Sequence, residues 1–206
     1  MVRWVVRAVG VALIVVGGFT VWQFVQEVRG QGQATQAQTQ GWHDLVAAAA
    51  GPEAVPSPAA SGAPAVCPDC YLELTVPKLN RSMVAIDSDW TGLKRAPMVH
   101  YRTSPAPGQV GNVLVAFHRE FSWRDIDQLG PGDTVVLQTK DGHTFIYVVE
   151  FRRIVSPNDV SLLQPSTSRN LTLITCDPWL QDYNRMLFRL HLVEPSPPPT
   201  PPSGGA

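Results

Sequence analysis

An all-β domain, closed into a barrel or folded as a sandwich, is the architecture the sequence predicts for residues 71–194. Three observations carry it: the apolar runs are short and β-branched, turn dipeptides separate them, and one short helical signal interrupts them. Seven runs qualify as strands: Tyr71–Val76, Met83–Ile86, Asn112–Phe117, Thr134–Thr139, Thr144–Arg152, Leu171–Thr175 and Met186–Val193. Pro107-Gly108 and Gly130-Pro131-Gly132-Asp133 break the chain between runs, and Asp141-Gly142 joins two of them as a hairpin. Ser122, three residues before Asp125 and ahead of Ile126 and Leu129, marks the short helix.

Outside this block the composition changes. The chain of 206 residues has room for one domain and its appendages. A net charge of −1 with three lysines supplies no basic patch for phosphates, which excludes nucleic acid as a partner. Arg3 and Arg7 precede an apolar run from Ala8 to Val25, broken only by Thr20 and Gln23. As a helix it would span about 27 Å, close to the hydrocarbon thickness of a bilayer. A cleaved signal peptide has the same flanks and position. The run is long for that role, and no small-x-small cleavage site follows directly, so an uncleaved anchor is the expectation. Trp4 and Trp22 lie near its ends, and both basic residues precede it. This predicts a single-pass membrane protein with its N-terminus in the cytoplasm and the rest outside the cell.

Residues 30–66 are rich in Gln, Ala, Gly and Pro and predict a flexible linker, about 30–35 Å from end to end. Trp42 to Ala50 could form one short helix within it, ended by Gly51-Pro52. Residues 195–206 are Pro-, Ser- and Gly-rich and are expected to be a disordered tail. The expected division is therefore 1–29 N-terminus and anchor, 30–66 linker, 67–194 folded domain, and 195–206 tail.

The chemistry concentrates at strand tips. In Thr172-Leu173-Ile174-Thr175-Cys176, alternation puts Leu173 and Thr175 on one face and Thr172, Ile174 and Cys176 on the other. Asp177-Pro178 then stops the ladder, leaving a thiol at the end of the strand. A thiol held there is rigid yet reachable, as a nucleophile requires, and its active form is the thiolate. His118 ends the run Asn112–Phe117 in the same way and can stabilise that charge or protonate a leaving amine. Arg185 opens the last run; Arg189, four residues on, shares its face. The bland alternatives are a buried core cysteine, a surface histidine and a barrel-end cation. His43, His143 and His191 have weaker claims, and His100 reads as structural.

Asn-Val-x-x-Ala-x-His-Arg at 112–119, the Trp123–Leu129 segment, Thr-Leu-Ile-Thr-Cys at 172–176 and Arg185, preceded by Val76-Pro77-Lys78-Leu79, together resemble a sortase over roughly residues 71–194. The resemblance implies a closed β-barrel of about eight strands with one or two short helices. It implies a cysteine transpeptidase without cofactor in which Cys176 attacks, His118 protonates the departing amine and Arg185 holds the carbonyl or its oxyanion. Its implied partners are secreted proteins bearing a Leu-Pro-x-Thr-Gly-type sorting motif and an amine of a peptidoglycan precursor. Phe117 stands where the family usually has Gly, so Phe117 and Thr175 are expected beside the substrate. The Thr-Leu-Ile-Thr-Cys-Asp-Pro text, with no second apolar segment after the domain, looks most like the class D or E sortases. The alternative is a sortase-like barrel that binds peptide or wall polymer without turnover. An L,D-transpeptidase would carry a Ser-x-Gly-Cys motif, which is missing.

Cys67-Pro68-Asp69-Cys70 stands just before the first strand. In an oxidising compartment a small disulfide loop is the expectation, with two thiols or half a zinc site as alternatives. No second ligand pair completes a zinc site, and Asp87, Asp89, Asp125, Asp127 and Asp159 are scattered, so no metal is expected.

Overall fold

The computed structural model describes residues 10, 13–23, 26, 38–46, 69–119, 123–179 and 181–195. The chain divides into two units, Met1–Gln36 and Ala37–Ala206. In the first, residues 13–23 are helical and expose Leu13, Ile14 and Phe19. Among the described residues no helix is long and apolar enough to cross a membrane. The predicted anchor, Ala8–Val25, lies partly outside those residues.

The second unit is built on eight strands: β1 (Cys70–Val76), β2 (Arg81–Ser88), β3 (Met98–Tyr101), β4 (Gly111–Phe117), β5 (Thr134–Thr139), β6 (Thr144–Val155), β7 (Arg169–Asp177) and β8 (Asn184–Pro195). They close into one barrel in the order β1-β2-β3-β4-β7-β8-β6-β5. Of the two architectures open to short strands, closure is the one formed, and it leaves no sheet edge unpaired. Two neighbours run parallel, β2 with β3 and β4 with β7; the other pairs are antiparallel. The β4–β7 pair joins the two strands that carry His118 and Cys176 at their tips.

Alternation fills the interior. Leu72, Leu74 and Val76 of β1, Val113, Val115 and Phe117 of β4, Leu171 and Leu173 of β7, and Met186, Phe188 and Leu190 of β8 all join one buried cluster. Trp123, Ile126 and Leu129 plug one end of it, with Trp123 donating its indole N–H to Met83 Sδ at 3.3 Å. The barrel is a packed core.

All seven expected strands form, most of them a few residues longer than their apolar runs. The eighth, β3, has only four residues and carries the polar His100, which is too short a run to show a period of two. Ile126–Gln128 forms a single 3-10 turn where a short helix is predicted; its expected cap, Ser122, lies outside the described residues. Further 3-10 turns occupy Pro77–Leu79, Trp90–Lys94 and Ser161–Leu163.

Part of the expected linker is not free. Residues 38–46 form a helix, α1, that begins four residues earlier than predicted. Its Trp42 is fully buried against Cys70 and Val84, and His43 Nε2 lies 3.3 Å from Glu73 Oε1. The outer faces of β1 and β2 offer an apolar seat, and one large indole is enough to hold a short helix there. Cys70 is disulfide-bonded. Its predicted partner, Cys67, lies outside the described residues, as does the predicted tail beyond residue 195.

Candidate active site

Three strands deliver three side chains to one row. Cys176 on β7 is directly opposite Arg185 on β8 in the antiparallel ladder. Direct partners point to the same face with Cβ atoms about 4.5–5.5 Å apart. On the other side of β7, the parallel register runs to Ala116 opposite Ile174, so two residues further the tip of β4 brings His118 beside Cys176. Thr175 Oγ1 donates to Phe117 O at 2.8 Å and keeps the two tips together past the last ladder pair. Cys176 and His118 are both partly exposed.

His118 is seated by the β2–β3 connection. Its backbone N–H donates to Pro97 O at 3.0 Å and its ring Nε2–H donates to Leu93 O at 2.7 Å. Leu93 is offered by the Trp90–Lys94 turn, and that turn needs the glycine within it, Gly92. A Cβ on Gly92 would stand 2.6 Å from Ser88 Cβ, so only hydrogen lets the turn lie this close to β2. Arg185 Nη1 donates to Asp182 O at 3.0 Å and Asn184 O at 3.1 Å, which folds the guanidinium over the β7–β8 connection.

Below this row the outer face is apolar, with Ala116 on β4, Ile174 on β7 and Leu187 on β8. Four residues from Cys176 it turns polar. There a single carbonyl, Leu162 O, accepts from Asn112 Nδ2 at 2.9 Å and Arg189 Nη2 at 2.7 Å, while Thr172 Oγ1 donates to Asn112 Oδ1 at 2.8 Å and orients that amide. Asn112 Nδ2 also donates to Gln164 O at 3.1 Å. These donors pin the β6–β7 connection onto the sheet. Arg189 is 8% exposed, and burial pushes its pKa below the usual guanidinium value, with Glu150 opposing. Its charge is committed to the loop, four residues from the row that Arg185 joins.

Phe117 and Thr175 are corrections. Both were expected beside a substrate; both face the barrel interior. Phe117 is 2% exposed and packs against Trp123 with ring centroids 5.4 Å apart. Thr175 is buried and its hydroxyl serves the cross-strand bond already described. The cause is alternation: the residue before each reactive tip must point the other way.

His100 serves the scaffold. Its Nδ1 lies 2.8 Å from Asp87 Oδ1, its Nε2 3.2 Å from Pro105 O and Ser104 Oγ, and its ring stacks on Tyr71. Ser104 Oγ donates to Tyr101 O and accepts from Leu114 N, so this Ser-His-Asp set is a turn lock and its hydroxyl is not poised to attack. Among the described residues no three His, Cys, Asp or Glu side chains are grouped to hold a metal ion.

One ion cluster has no precedent in the sequence reasoning. Arg119, next to His118, is 4% exposed and donates through Nη1 to Asp177 Oδ1 at 2.7 Å, next to Cys176. Its Nη2 lies 2.9 Å from Asp127 Oδ2.

The family model described as Sortase domain matches residues 74–193, more than half of the chain. The chain belongs to the sortase family. Over 121 residues this sortase is 30% identical to sortase E1 of Streptomyces coelicolor, an alignment covering 51% of this chain and 34% of that protein. It is 28% identical over 108 residues to sortase D of Bacillus subtilis, covering 52% of this chain and 54% of that protein. The chain thus spans about a third and about half of the lengths of these curated relatives. Among solved structures, sortase E1 from S. coelicolor with a tripeptide in its active site superposes with a TM-score of 0.55 at 26% identity, covering 62% of this chain and 90% of that one. A sortase E from Streptomyces avermitilis gives 0.54 at 26%, covering 63% and 91%. The shared part is the barrel, and the class D or E likeness agrees with these relatives.

Proposed function

We propose that this sortase is a membrane-anchored cysteine transpeptidase working outside the cell. The observation that carries the reading is the row His118, Cys176, Arg185 across three adjacent strands of one outer face. Cys176 as thiolate attacks the carbonyl before the scissile bond of a sorting motif. Arg185, a planar cationic donor, stabilises the oxyanion. The C–N bond breaks, the amine leaves with a proton from His118, and a thioacyl intermediate remains. With Nε2–H donating to Leu93 O, proton exchange is assigned to Nδ1. An acceptor amine then gives its proton back to the imidazole and attacks the thioester, and the C–S bond breaks to restore the thiolate. Covalent storage lets two partners meet one site in turn.

The groove supports a short motif. From Cys176 to the polar clamp at Thr172 the strand rises about 13 Å, the length of four extended residues. Ile174 is partly exposed, with Ala116 and Leu187 buried on either side of it, and this apolar stretch suits a Leu-Pro-x-Thr segment, with cleavage before the next residue. The donors are secreted proteins ending in such a motif, and the acceptor is a peptidoglycan precursor amine. The run Ala8–Val25 is the anchor in this reading, with the N-terminus cytoplasmic. A binding module without turnover drew its support from Phe117 as a block in the groove; with that ring in the core, the support is gone.

The test is direct. The 206-residue chain, purified in detergent, is incubated with a fluorogenic Leu-Pro-x-Thr-Gly peptide and an amine. Cleavage with formation of the amine adduct, lost in Cys176→Ala, is expected. Activity that persists in Cys176→Ala overturns the reading.

A further inference from the structure

Alternation gives each reactive tip a second residue on the opposite face. His118 and Cys176 face outward; Arg119 and Asp177, one residue further along the same two strands, face the barrel mouth. The last described β4–β7 ladder pair is Ala116 with Ile174, so the tips extend beyond the parallel hydrogen bonding. What spans them there is the Thr175 hydroxyl bond and the Arg119–Asp177 ion pair at 2.7 Å, with side chains 5% and 15% exposed. Arg119 also reaches Asp127, half exposed beside the Ile126–Gln128 turn.

We infer that Arg119 and Asp177 are a positioning pair for the reaction proposed above, fixing the spacing of imidazole and sulfur and cancelling a carboxylate next to the thiol. Stability alone is a poor reason for the pair. A buried ion pair is often no better than an apolar pair of the same size, and Arg119 Nε is buried with no acceptor among the described residues. Its benefit lies in register. Two parallel strands past their last backbone bond can splay, and a splay of about 1 Å is enough to cost two orders of magnitude in rate. The second benefit is electrostatic. Asp177 unneutralised would disfavour a thiolate one residue away.

Other charged groups sit on the elements around the row. Arg185 comes from β8, Asp182 from the β7–β8 connection, His118 from β4 and Asp127 from the turn; Arg153 of β6 lies over the Phe151 ring. All of these stay in place in the variants below, so opposite shifts in the two single variants report the pair itself.

The experiment uses the whole chain in detergent and two readouts: the pH at half-maximal iodoacetamide labelling of Cys176, and kcat and KM for the sorting peptide with an amine. Arg119→Met is expected to raise the labelling midpoint by about half a unit to one unit, since Asp177 is left unopposed. It is expected to lower kcat about ten- to a hundredfold with KM within about twofold. Asp177→Asn is expected to move the midpoint down, because a carboxylate next to the thiol is removed while Arg119 keeps its charge, with the half-exposed Asp127 as its remaining counter-charge. Arg119→Lys keeps the charge and is expected to restore the midpoint but only part of kcat, as one point charge replaces a planar fork. Should Arg119→Met not fold, Asp177→Asn and Arg119→Lys carry the same comparison. Unchanged midpoints, or midpoints that move the same way in both single variants, overturn the inference. Opposite shifts in labelling without any peptide turnover, even by the unaltered chain, would leave the pair standing and sink the transpeptidase reading.

Discussion

Cys176 and Arg185 are one-to-one partners across the β7–β8 ladder, while Arg189 pairs with Thr172 four residues below. Two arginines on one face therefore have separate tasks set by register. Arg185→Met is expected to lower kcat/KM for the sorting peptide by about a hundredfold or more, as loss of an oxyanion donor does. Steady-state kinetics comparing Arg185→Met with Arg189→Met check the assignment; a larger loss in Arg189→Met reverses it.

Arg189 and Asn112 both donate to Leu162 O and Thr172 holds the Asn112 amide, so the β6–β7 connection is fixed by side chains of the sheet beneath it. Arg189→Met leaves Asn112 as a donor but removes the shorter bond. The expected result is faster hydrogen exchange over residues 156–168 and a KM raised about three- to tenfold with kcat nearly kept. Limited proteolysis of the same loop provides a second check.

Trp42 holds α1 to the barrel through Cys70 and Val84. Trp42→Ala is expected to cost about 2–3 kcal/mol of local stability at α1, less than a central core truncation because the helix can undock by itself. Hydrogen exchange over residues 38–46 should rise to the rate of an open segment while β4 and β7 keep their protection. Equal loss of protection in β4 and β7 would contradict this.

Acid should reach the Gly130–Asp133 turn through one carboxylate. Lys78 Nζ, 2.8 Å from Asp133 Oδ2, together with the Gly130 N–H, holds the Asp133 carboxyl below its ordinary pKa. A folded-state pKa below the unfolded one contributes stability that is complete above about pH 4 and is lost as pH falls through the folded value. Unfolding free energies from urea titration of the unaltered chain and Asp133→Asn should therefore differ by about 1 kcal/mol at pH 7 and converge near pH 2. A difference that stays constant with pH rules out the carboxylate as its source.

The strands and their tips were legible because a period of two is unambiguous over six or more residues. At 171–176 it separates core Leu173 from outward Cys176 without any tertiary knowledge. The same rule, carried one residue back from His118, places Phe117 inward; the signal was present, but a departure from the family pattern drew the residue toward the groove. The short helix at Trp42 was legible but its seat was not, because its partners, Cys70 and Val84, lie more than twenty-five residues away on two strands. Arg119 and Asp177 were unreadable for a similar reason, since their pairing exists only once β4 and β7 lie side by side in parallel, 58 residues apart in the chain.

That parallel pairing also decides when the chemistry switches on. An unfolded polypeptide carries the Cys176 sulfur far from the His118 imidazole, and no local turn can unite them, because parallel neighbours require a long crossover. The two side chains meet only at ring closure, so under the proposed reaction a chain not yet folded is harmless to its surroundings and a barrel that fails to seal stays inert.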